Sequence, residues 1–285
     1  MTDLVLFENR GVVRVSGPDA AALLDGLFTR NVGEAGADRA IFAALLTPQG
    51  KFLADVYILS PQADTYLLDV PEPENLTRRL MMYRLRAKAM IENLSADWAV
   101  GVVWDRTGLP DDVSVYADPR HLDMPHRFMG PRAGLVPLAK PEEALDRYDA
   151  QRHGLGVPDL ARDLLTEKDF ILEGLMDEMG GVDFKKGCYV GQEMTSRMKR
   201  RTTVRSKLCR IEFAGPEPAF DAPISADGWE VGRIRTTSSG QGLALIRFDR
   251  VDKARADGHV LAVDGQPIKL TPPDWMVVPE MSSAD

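Results

Sequence analysis

A chain of 285 residues with 44% hydrophobic and 27% charged residues has the composition of a soluble globular protein, and its length predicts two or three lobes. The net charge of −8 argues against general nucleic-acid binding, and no apolar run approaches membrane-spanning length. Two cysteines, Cys188 and Cys209, indicate a reducing compartment rather than a disulfide framework. The first residues lack the pattern of a secretory or transit peptide, so we expect a cytoplasmic protein.

The first predicted elements are a strand and a helix. Residues 11–15 carry a β-branched run that predicts a strand. Gly17 and Pro18 then open a helix whose apolar side chains recur at spacings of three and four. Asn31 follows this helix, where a cap or turn residue is common.

A hairpin follows, with strands predicted over residues 41–46 and 52–59 around a turn at 47–50 that contains Pro and Gly. Asp55 lies among apolar residues on the second of these strands. It is either a polar residue on the exposed face of a half-buried strand or part of a functional site.

The next stretch predicts an α+β lobe with an antiparallel sheet. Its predicted elements are a strand at 65–70, a helix at 71–85 and strands at 88–94 and 98–104. Met81 and Met82 are assigned to the core of this lobe. Residues 105–137 are rich in Pro, Gly and Asp and predict mainly loops and edge structure. Their histidines, His121 and His126, have no partner at metal-ligand spacing, so no metal site is predicted.

The segment around Cys188 combines a reactive thiol with neighbouring cations and with glycines that allow unusual backbone conformations. Gly187 and Gly191 allow a positive φ or a close backbone approach. Lys185 and Lys186 precede the cysteine, and a nearby cation stabilises the reactive thiolate. The alternative is a glycine-flanked turn in which Cys188 is a small buried hydrophobe.

A basic cluster surrounds this segment, although the chain as a whole is acidic. Its members are Lys185, Lys186, Arg197, Lys199, Arg200, Arg201, Arg205 and Lys207, with Glu193 as the single acid among them. Such a cluster can dock an acidic partner or an RNA backbone. It can also be a solvated strand edge that is protected against aggregation.

Beyond Ser206 the pattern changes to short strands separated by Gly, Pro and Asp turns, which predicts a small antiparallel barrel. The predicted strands are 208–213, 231–236, 243–248, 259–263 and 268–270. Cys209 lies on the first of them, where we expect a packing role.

One run of this chain, Gly181 to Glu193, resembles the signature of the YgfZ family, folate-binding proteins related to the T protein of the glycine cleavage system. The run reads GVDFKKGCYVGQE. Residues 17–32, 46–55 and the C-terminal run around Gly228 resemble other parts of the family, so the similarity covers nearly the whole chain. It implies a tetrahydrofolate-binding accessory protein that supports assembly or repair of iron–sulfur enzymes, including tRNA-modifying ones. Two cysteines cannot supply the usual four thiolates, so we expect the chain to serve clusters without carrying one.

The resemblance also implies the fold. We expect an α+β protein with the three-lobed clover arrangement of the T protein and a C-terminal antiparallel β-barrel. The implied lobes are residues 1–45 with 140–205, which carry the signature loop, residues 46–139, and residues 206–280, which form the barrel.

For the site, the resemblance implies that Asn31, Asp55 and Glu173 line a folate cavity. A carboxylate at Glu173 can accept two N–H donors from the amino-pyrimidine edge of a pterin. Cys188 and Asp55 are the candidate catalytic residues. Basic side chains can hold the glutamate tail of a folate. The further candidate cofactor-binding residues are Lys186, Tyr189, Gln192, Glu193 and Arg197.

Two other functions remain open. Related aminomethyltransferases carry an Asp-Asp pair where this chain has Ala54 and Asp55. A folate-dependent aminomethyltransferase or demethylase is therefore the second hypothesis, with one of its two carboxylates missing. The third is an adaptor whose basic segment docks a client protein or tRNA.

Overall fold

The computed structural model describes residues 3–139, 141–201 and 204–279, and for residues 141–144 it describes the backbone alone. The predicted lobe ends at residues 1, 140 and 280 lie outside the described residues. The chain divides into two compact units, Met1–Leu145 with Met179–Gln192 and Asp146–Glu178 with Glu193–Asp285. The division into three lobes stays a prediction. The predicted boundary between the first two lobes, at residues 45 and 46, lies within one strand of a β-hairpin.

The first unit contains two antiparallel sheets with short helices. Its elements are β1 (Leu4–Leu6), β2 (Arg10–Ser16), α1 (Ala20–Asp25), β3 (Ile41–Leu46), β4 (Phe52–Gln62), β5 (Thr65–Pro71), α2 (Pro73–Arg84), β6 (Met90–Asn93), β7 (Trp98–Val103), β8 (Ser114–Tyr116), β9 (His126–Pro131) and α3 (Arg132–Leu135), with 3₁₀ turns at Val32–Glu34 and Val136–Leu138.

The larger sheet has the strand order β3-β4-β5-β2-β6. Alternate residues of β2, such as Val13 and Val15, point into a core that α1 and α2 complete with Leu24 and Leu80. The smaller sheet has the order β1-β7-β9-β8 around a core that contains Phe128. Both sheets are antiparallel, as the sequence pattern predicts.

One prediction for this unit is wrong and another is incomplete. Residues 105–137 are mainly loops with the edge strand β8, as expected, but they also contain β9, which is paired on both sides. Its glycine, Gly130, leaves space for Val113, which a Cβ would approach to 2.9 Å. Met81 and Met82 are not core residues, because 54% and 62% of their surfaces are exposed.

The second unit is built on a barrel. Helix α4 (Pro141–Leu155) enters it from the first unit, and α6 (Gln192–Arg200) begins at the last residue of the first unit. The remaining elements are α5 (Leu160–Asp163), β10 (Ser206–Phe213), β11 (Pro223–Ala226), β12 (Trp229–Ser238), β13 (Gln241–Arg247), α7 (Phe248–Ala256), β14 (Ala262–Val263) and β15 (Gln266–Leu270).

These strands close into an antiparallel barrel of order β10-β13-β12-β11-β14-β15, in which β15 pairs back with β10. The C-terminal barrel and the α+β class are therefore confirmed. Strand β11 and helix α7 were not predicted, although Phe248, Val251 and Ala254 form a buried face at helical spacing. None of the described helices is long and apolar enough to cross a membrane.

Candidate functional site

The signature loop, residues 181–191, is tied within the first unit to the turn that follows α1. Thr29 is fully buried, and its hydroxyl donates to the Gly181 carbonyl at 2.7 Å. The same Oγ1 accepts the backbone N–H of Ala44 on β3 at 2.9 Å. The Thr29 carbonyl accepts the N–H of Asp183, also at 2.9 Å. One side chain thus joins the loop, the turn and the larger sheet.

Lys186 provides the second anchor of the signature loop. Its ammonium lies 2.7 Å from the Asp25 carbonyl, 2.8 Å from Asp25 Oδ1, 3.0 Å from the Phe28 carbonyl and 2.9 Å from the Arg30 carbonyl. Only 2% of the side chain is exposed. These acceptors occupy all three N–H donors of the ammonium. Lys186 therefore holds the loop against the turn, and its binding of a cofactor stays a prediction.

Of the two glycines beside Cys188, only Gly191 is required by the backbone. Gly191 has a φ of +84°, and a Cβ there would lie 2.7 Å from the Thr47 carbonyl. The turn of the β3–β4 hairpin packs directly against it. Gly187 has no positive φ, and a Cβ there would meet nothing within 4 Å. The expected special backbone is thus found at Gly191 and not at Gly187.

The sulfur of Cys188 is exposed between these anchors. The next residue, Tyr189, is buried, and Val190 packs against the core of the first unit. On the other side, Asp183 Oδ1 accepts the N–H groups of Lys185 and Lys186 at 2.8 and 3.1 Å, which shapes the bend before the cysteine. The interpretation of Cys188 as a buried hydrophobe is therefore wrong. The loop presents a solvent-accessible thiol on a fixed support.

Cys209 has the opposite environment. It is fully buried on β10, and burial raises the pKa of its thiol to about 12. Its sulfur lies 3.4 Å from the Arg210 carbonyl. The predicted packing role of Cys209 is confirmed.

Asn31 and Gln192 make local contacts in the first unit. Asn31 Oδ1 accepts the N–H of Gly33 at 2.9 Å and caps the 3₁₀ turn Val32–Glu34. Asn31 thus begins the next helical turn rather than ending α1, while its amide remains exposed. Gln192 Nε2 donates to the Gly187 carbonyl at 3.3 Å.

Asp55 belongs to a buried ion-pair network in the first unit. Its Oδ2 lies 3.0 Å from Arg10 Nη1, and Arg10 Nε lies 2.6 Å from Asp69 Oδ1. Arg127 extends the network, with Nη2 2.7 Å from Asp69 Oδ2 and its guanidinium 3.6 Å from the centre of the Tyr57 ring. Asp55 is only 1% exposed, so the interpretation as an exposed-face residue is wrong. The catalytic role of Asp55 stays a prediction. Its carboxylate already forms an ion pair with Arg10.

The remaining predicted site residues lie in the second unit. Glu173 Oε2 accepts the N–H of Phe170 at 2.9 Å, and the Glu173 carbonyl accepts the N–H of Leu208 at 2.7 Å. Glu193 and Arg197 are exposed on α6. The basic cluster continues along this helix, so its interpretation as a strand edge is wrong.

Two adjacent acids that were not predicted as site residues, Asp177 and Glu178, have buried carboxyl groups, with 5% and 6% of the side chains exposed. Lys199 Nζ lies 2.7 Å from Asp177 Oδ2, and Lys207 donates to Glu178 Oε1 and to the Val277 carbonyl. Burial and the adjacent Asp177 carboxyl raise the pKa of Glu178 to about 7. The pair therefore retains one proton up to neutral pH.

A second missed cluster surrounds His153, which is fully buried at the end of α4. Thr236 on β12 donates to Asp163 Oδ1 at 2.5 Å and accepts from Arg152 at 2.6 Å. His153 Nε2, 3.0 Å away, must therefore donate to Thr236, and Nδ1 accepts from the Ser238 hydroxyl at 2.7 Å. Burial, followed by the charge of Arg152, lowers the pKa of His153 to about 2, so this imidazole is neutral. The cluster ties α4 to the barrel.

The fold defines the class of protein. The chain superposes on the glycine cleavage system aminomethyltransferase T from Bartonella henselae with a TM-score of 0.75, over 96% of this chain and 86% of that one, at 10% sequence identity. Residues 205–278 match the family model "CAF17, C-terminal beta-barrel domain". This is an aminomethyltransferase-T fold that ends in a barrel of the CAF17 type.

Relatives with similar sequences narrow the class to a family. The iron–sulfur cluster assembly factor IBA57 of Homo sapiens, named as mitochondrial, is 31% identical over 94% of this chain and 83% of its own length. The homolog from Mycosarcoma maydis, also named as mitochondrial, is 29% identical over 94% of this chain and 82% of its own length. The chain belongs to the IBA57 family of iron–sulfur cluster assembly factors.

These comparisons decide several of the predictions. The expected fold and the expected link to iron–sulfur assembly are confirmed. The expected cytoplasmic location is contradicted, because the relatives that match nearly the whole chain are named as mitochondrial proteins. Folate binding and the connection to tRNA modification stay predictions.

Proposed function

We propose that this chain supports the assembly or repair of iron–sulfur enzymes and that Cys188 is the residue that contacts the cluster or its client protein. The observation that carries the proposal is the exposed Cys188 thiol on the anchored signature loop, in a chain of the IBA57 family. A thiolate is a natural ligand for the iron of a cluster. Because one thiolate cannot hold a cluster alone, the other ligands come from the partner.

The test uses cells that lack this chain and are complemented with the wild type or with Cys188→Ser. The activity of an iron–sulfur enzyme is measured against that of a cluster-free enzyme in the same extract. We expect the wild type to restore the ratio and Cys188→Ser to fail, at equal protein level and equal thermal stability. Lys253→Met, which changes an exposed side chain on α7, is the matched control and should restore it. Full restoration by Cys188→Ser overturns the role of the thiol.

A second part of the proposal is that the chain binds tetrahydrofolate, in keeping with its aminomethyltransferase-T fold and its signature run. The candidate residues fit such a ligand in part. Asn31, Glu193 and Arg197 have exposed polar groups, and the Arg197 guanidinium suits a carboxylate of the glutamate tail. Asp55 and Lys186 fit poorly, since both are buried and already bound.

Calorimetric titration of the full chain with tetrahydrofolate tests this part. We expect saturable heat and an increase in melting temperature, both weakened by Arg197→Gln and unchanged by Lys253→Gln on α7. If about 1 mM ligand gives neither heat nor thermal stabilisation, the folate part fails. The assembly assay with Cys188→Ser is independent of that result.

The aminomethyltransferase alternative is less well supported. Ala54 replaces one carboxylate of the Asp pair, and Arg10 binds the remaining one at Asp55. Docking of a client protein or tRNA through the basic cluster is tested with the double variant Arg200→Glu and Arg201→Glu, since both side chains are exposed. If the double variant still binds folate but no longer restores the activity of the iron–sulfur enzyme, the basic cluster is a docking surface.

A further inference from the structure

An exposed apolar surface lies at the end of α2 in the first unit, and none of its residues is assigned to the site above. Its large side chains are Met81, Met82, Tyr83, Leu85 and Met90, which are 54%, 62%, 40%, 85% and 53% exposed. Helix α2 is fixed to the larger sheet by Leu76 and Leu80, and Met90 begins the edge strand β6 that packs against the helix. We name this surface the α2 patch. Contiguous exposed apolar side chains on a folded protein mark interaction surfaces.

The α2 patch is predominantly basic, although the Asp19 carboxylate lies beside it and accepts the backbone N–H of Lys88 at 2.7 Å. Arg78, Arg84, Arg86 and Lys88 are exposed around the apolar side chains, and the sequence has no Asp or Glu between residues 75 and 91. The chain as a whole has a net charge of −8, so the positive charge of this surface is opposite in sign to the net charge of the protein. Charge complementarity therefore favours an occupant that is acidic as well as apolar.

Leu85 is the most unusual residue of the patch. Its backbone has φ +45° and ψ −107°, in the half of conformational space that glycine occupies easily and leucine rarely does. It is also 85% exposed, so the folded chain by itself gains no packing from it. Strained residues of this kind concentrate at binding sites, where the strain fixes the direction of a side chain.

The residue types of the patch favour a protein partner over a lipid surface. Methionine, tyrosine and arginine are enriched at the centres of protein interfaces, and methionine adapts its shape to different partners. A membrane-surface helix needs an apolar face along its length with aromatic or leucine side chains. Here the exposed apolar residues lie only at and beyond the last turn of α2.

We infer that the α2 patch is a docking surface for an acidic amphipathic segment of a partner protein, with Leu85 as the apolar anchor and Arg84, Arg86 and Lys88 pairing with the partner's carboxylates. This inference concerns a different surface from the Cys188 loop. It does not depend on folate binding or on the role of the thiol.

The test measures fluorescence anisotropy of a labelled helical peptide that carries Leu on one face and Glu on the other, with the full-length chain as receptor. A matched peptide has Lys in place of every Glu. We expect the Glu peptide to bind more tightly than the Lys peptide, and to bind more weakly as salt is raised. Leu85→Glu and Arg86→Glu should each weaken binding about tenfold.

Matched variants outside the patch provide the controls. Leu122→Glu changes a 95% exposed leucine, and Lys253→Glu reverses an exposed cation on α7. Both should leave the peptide affinity within about twofold of the wild type. Leu85→Gly should weaken binding while raising the melting temperature, because glycine removes the strain along with the anchor. If the role of Leu85 were purely structural, Leu85→Gly would change the melting temperature without weakening peptide binding.

Three results would overturn the inference. One is equal binding of the Glu and Lys peptides, or no loss of affinity in Leu85→Glu. Another is binding of the chain to vesicles containing phosphatidylserine, abolished by Leu85→Glu, without peptide binding, which would assign the patch to a membrane. The third is a concentration-dependent dimer in sedimentation that Leu85→Glu dissociates, which would assign the patch to a second copy of this chain.

Discussion

The signature loop and the strand β10 each carry one cysteine and one buried lysine, but they are held in place by different means. Strand β10 is fixed by backbone ladders to β13 and β15, and its cysteine is buried between them. The signature loop has no regular backbone partner over residues 181–189, and side chains replace the ladder. Thr29 and Lys186 bind its backbone and the adjacent turn, and Cys188 remains exposed. A loop can therefore be well anchored and still present a thiol to solvent.

The largest expected effect comes from Gly191, where the loop crosses the β3–β4 hairpin. Gly191→Ala places a Cβ 2.7 Å from the Thr47 carbonyl on a backbone with φ +84°. We expect a loss of about 3 kcal/mol or more in the free energy of unfolding. Gly187→Ala is the matched control, with a change below about 0.5 kcal/mol, because its Cβ meets nothing within 4 Å. Urea denaturation measures both, and equal losses would show that the loop is not anchored at Gly191.

Removing the lysine anchor should have the next largest effect. Lys186→Met leaves the Phe28 and Arg30 carbonyls without their shared donor, and we expect a loss of about 2–3 kcal/mol. Lys185→Met, at an exposed position, should change the unfolding free energy by less than about 0.5 kcal/mol. Proteolysis of the native chain near residue 187 should also accelerate in Lys186→Met alone. An unchanged cleavage rate would mean that Thr29 suffices to hold the loop.

The two cysteines should respond differently to the same substitution. Cys209→Ser puts a hydroxyl into the buried site on β10, and we expect a loss of about 1–2 kcal/mol. Cys188→Ser should change stability by less than about 0.5 kcal/mol, since the side chain is exposed. Thermal unfolding of the two variants side by side tests this. A comparable loss in Cys188→Ser would contradict the exposed position of its sulfur.

The last expected effect depends on pH and concerns the buried lysine of β10, Lys207, whose carboxyl partner Glu178 has a pKa raised to about 7. A raised pKa means that the folded state binds the proton more tightly than the unfolded state. The stability this contributes is complete below the ordinary pKa of glutamate and is lost as pH rises through about 7. The stability of the wild type relative to Glu178→Gln should therefore fall between pH 5 and pH 8, as Glu178 loses this proton. Urea denaturation of both proteins across this pH range measures the difference, and a difference that does not change with pH would contradict the raised pKa of Glu178.

Much of the fold could be predicted from the sequence, because it depends on local patterns. The hairpin at 41–59, the helix at 71–85 and the C-terminal barrel follow from periodicity and turn residues. The short strand β9 was missed, since its Pro and Gly are typical of loops and only the packing of Gly130 against Val113 explains them.

The candidate site could be predicted only where its chemistry is local. The run from Gly181 to Glu193 indicated an important loop and an unusual glycine at Gly191. Sequence alone could not show that Asp55 pairs with Arg10, 45 residues away, or that Lys186 binds the turn after α1. These contacts join distant parts of the chain, and no spacing rule connects their residues.

The different burial of the two sulfurs limits how the chain can respond to oxidation. A disulfide forms by attack of an accessible thiolate, and Cys188 is exposed while Cys209 is not. A native chain with a single reachable sulfur can become linked to one other molecule through it. Oxidative stress should therefore produce pairs or mixed disulfides with small thiols, which reductant reverses, rather than extended covalent polymers.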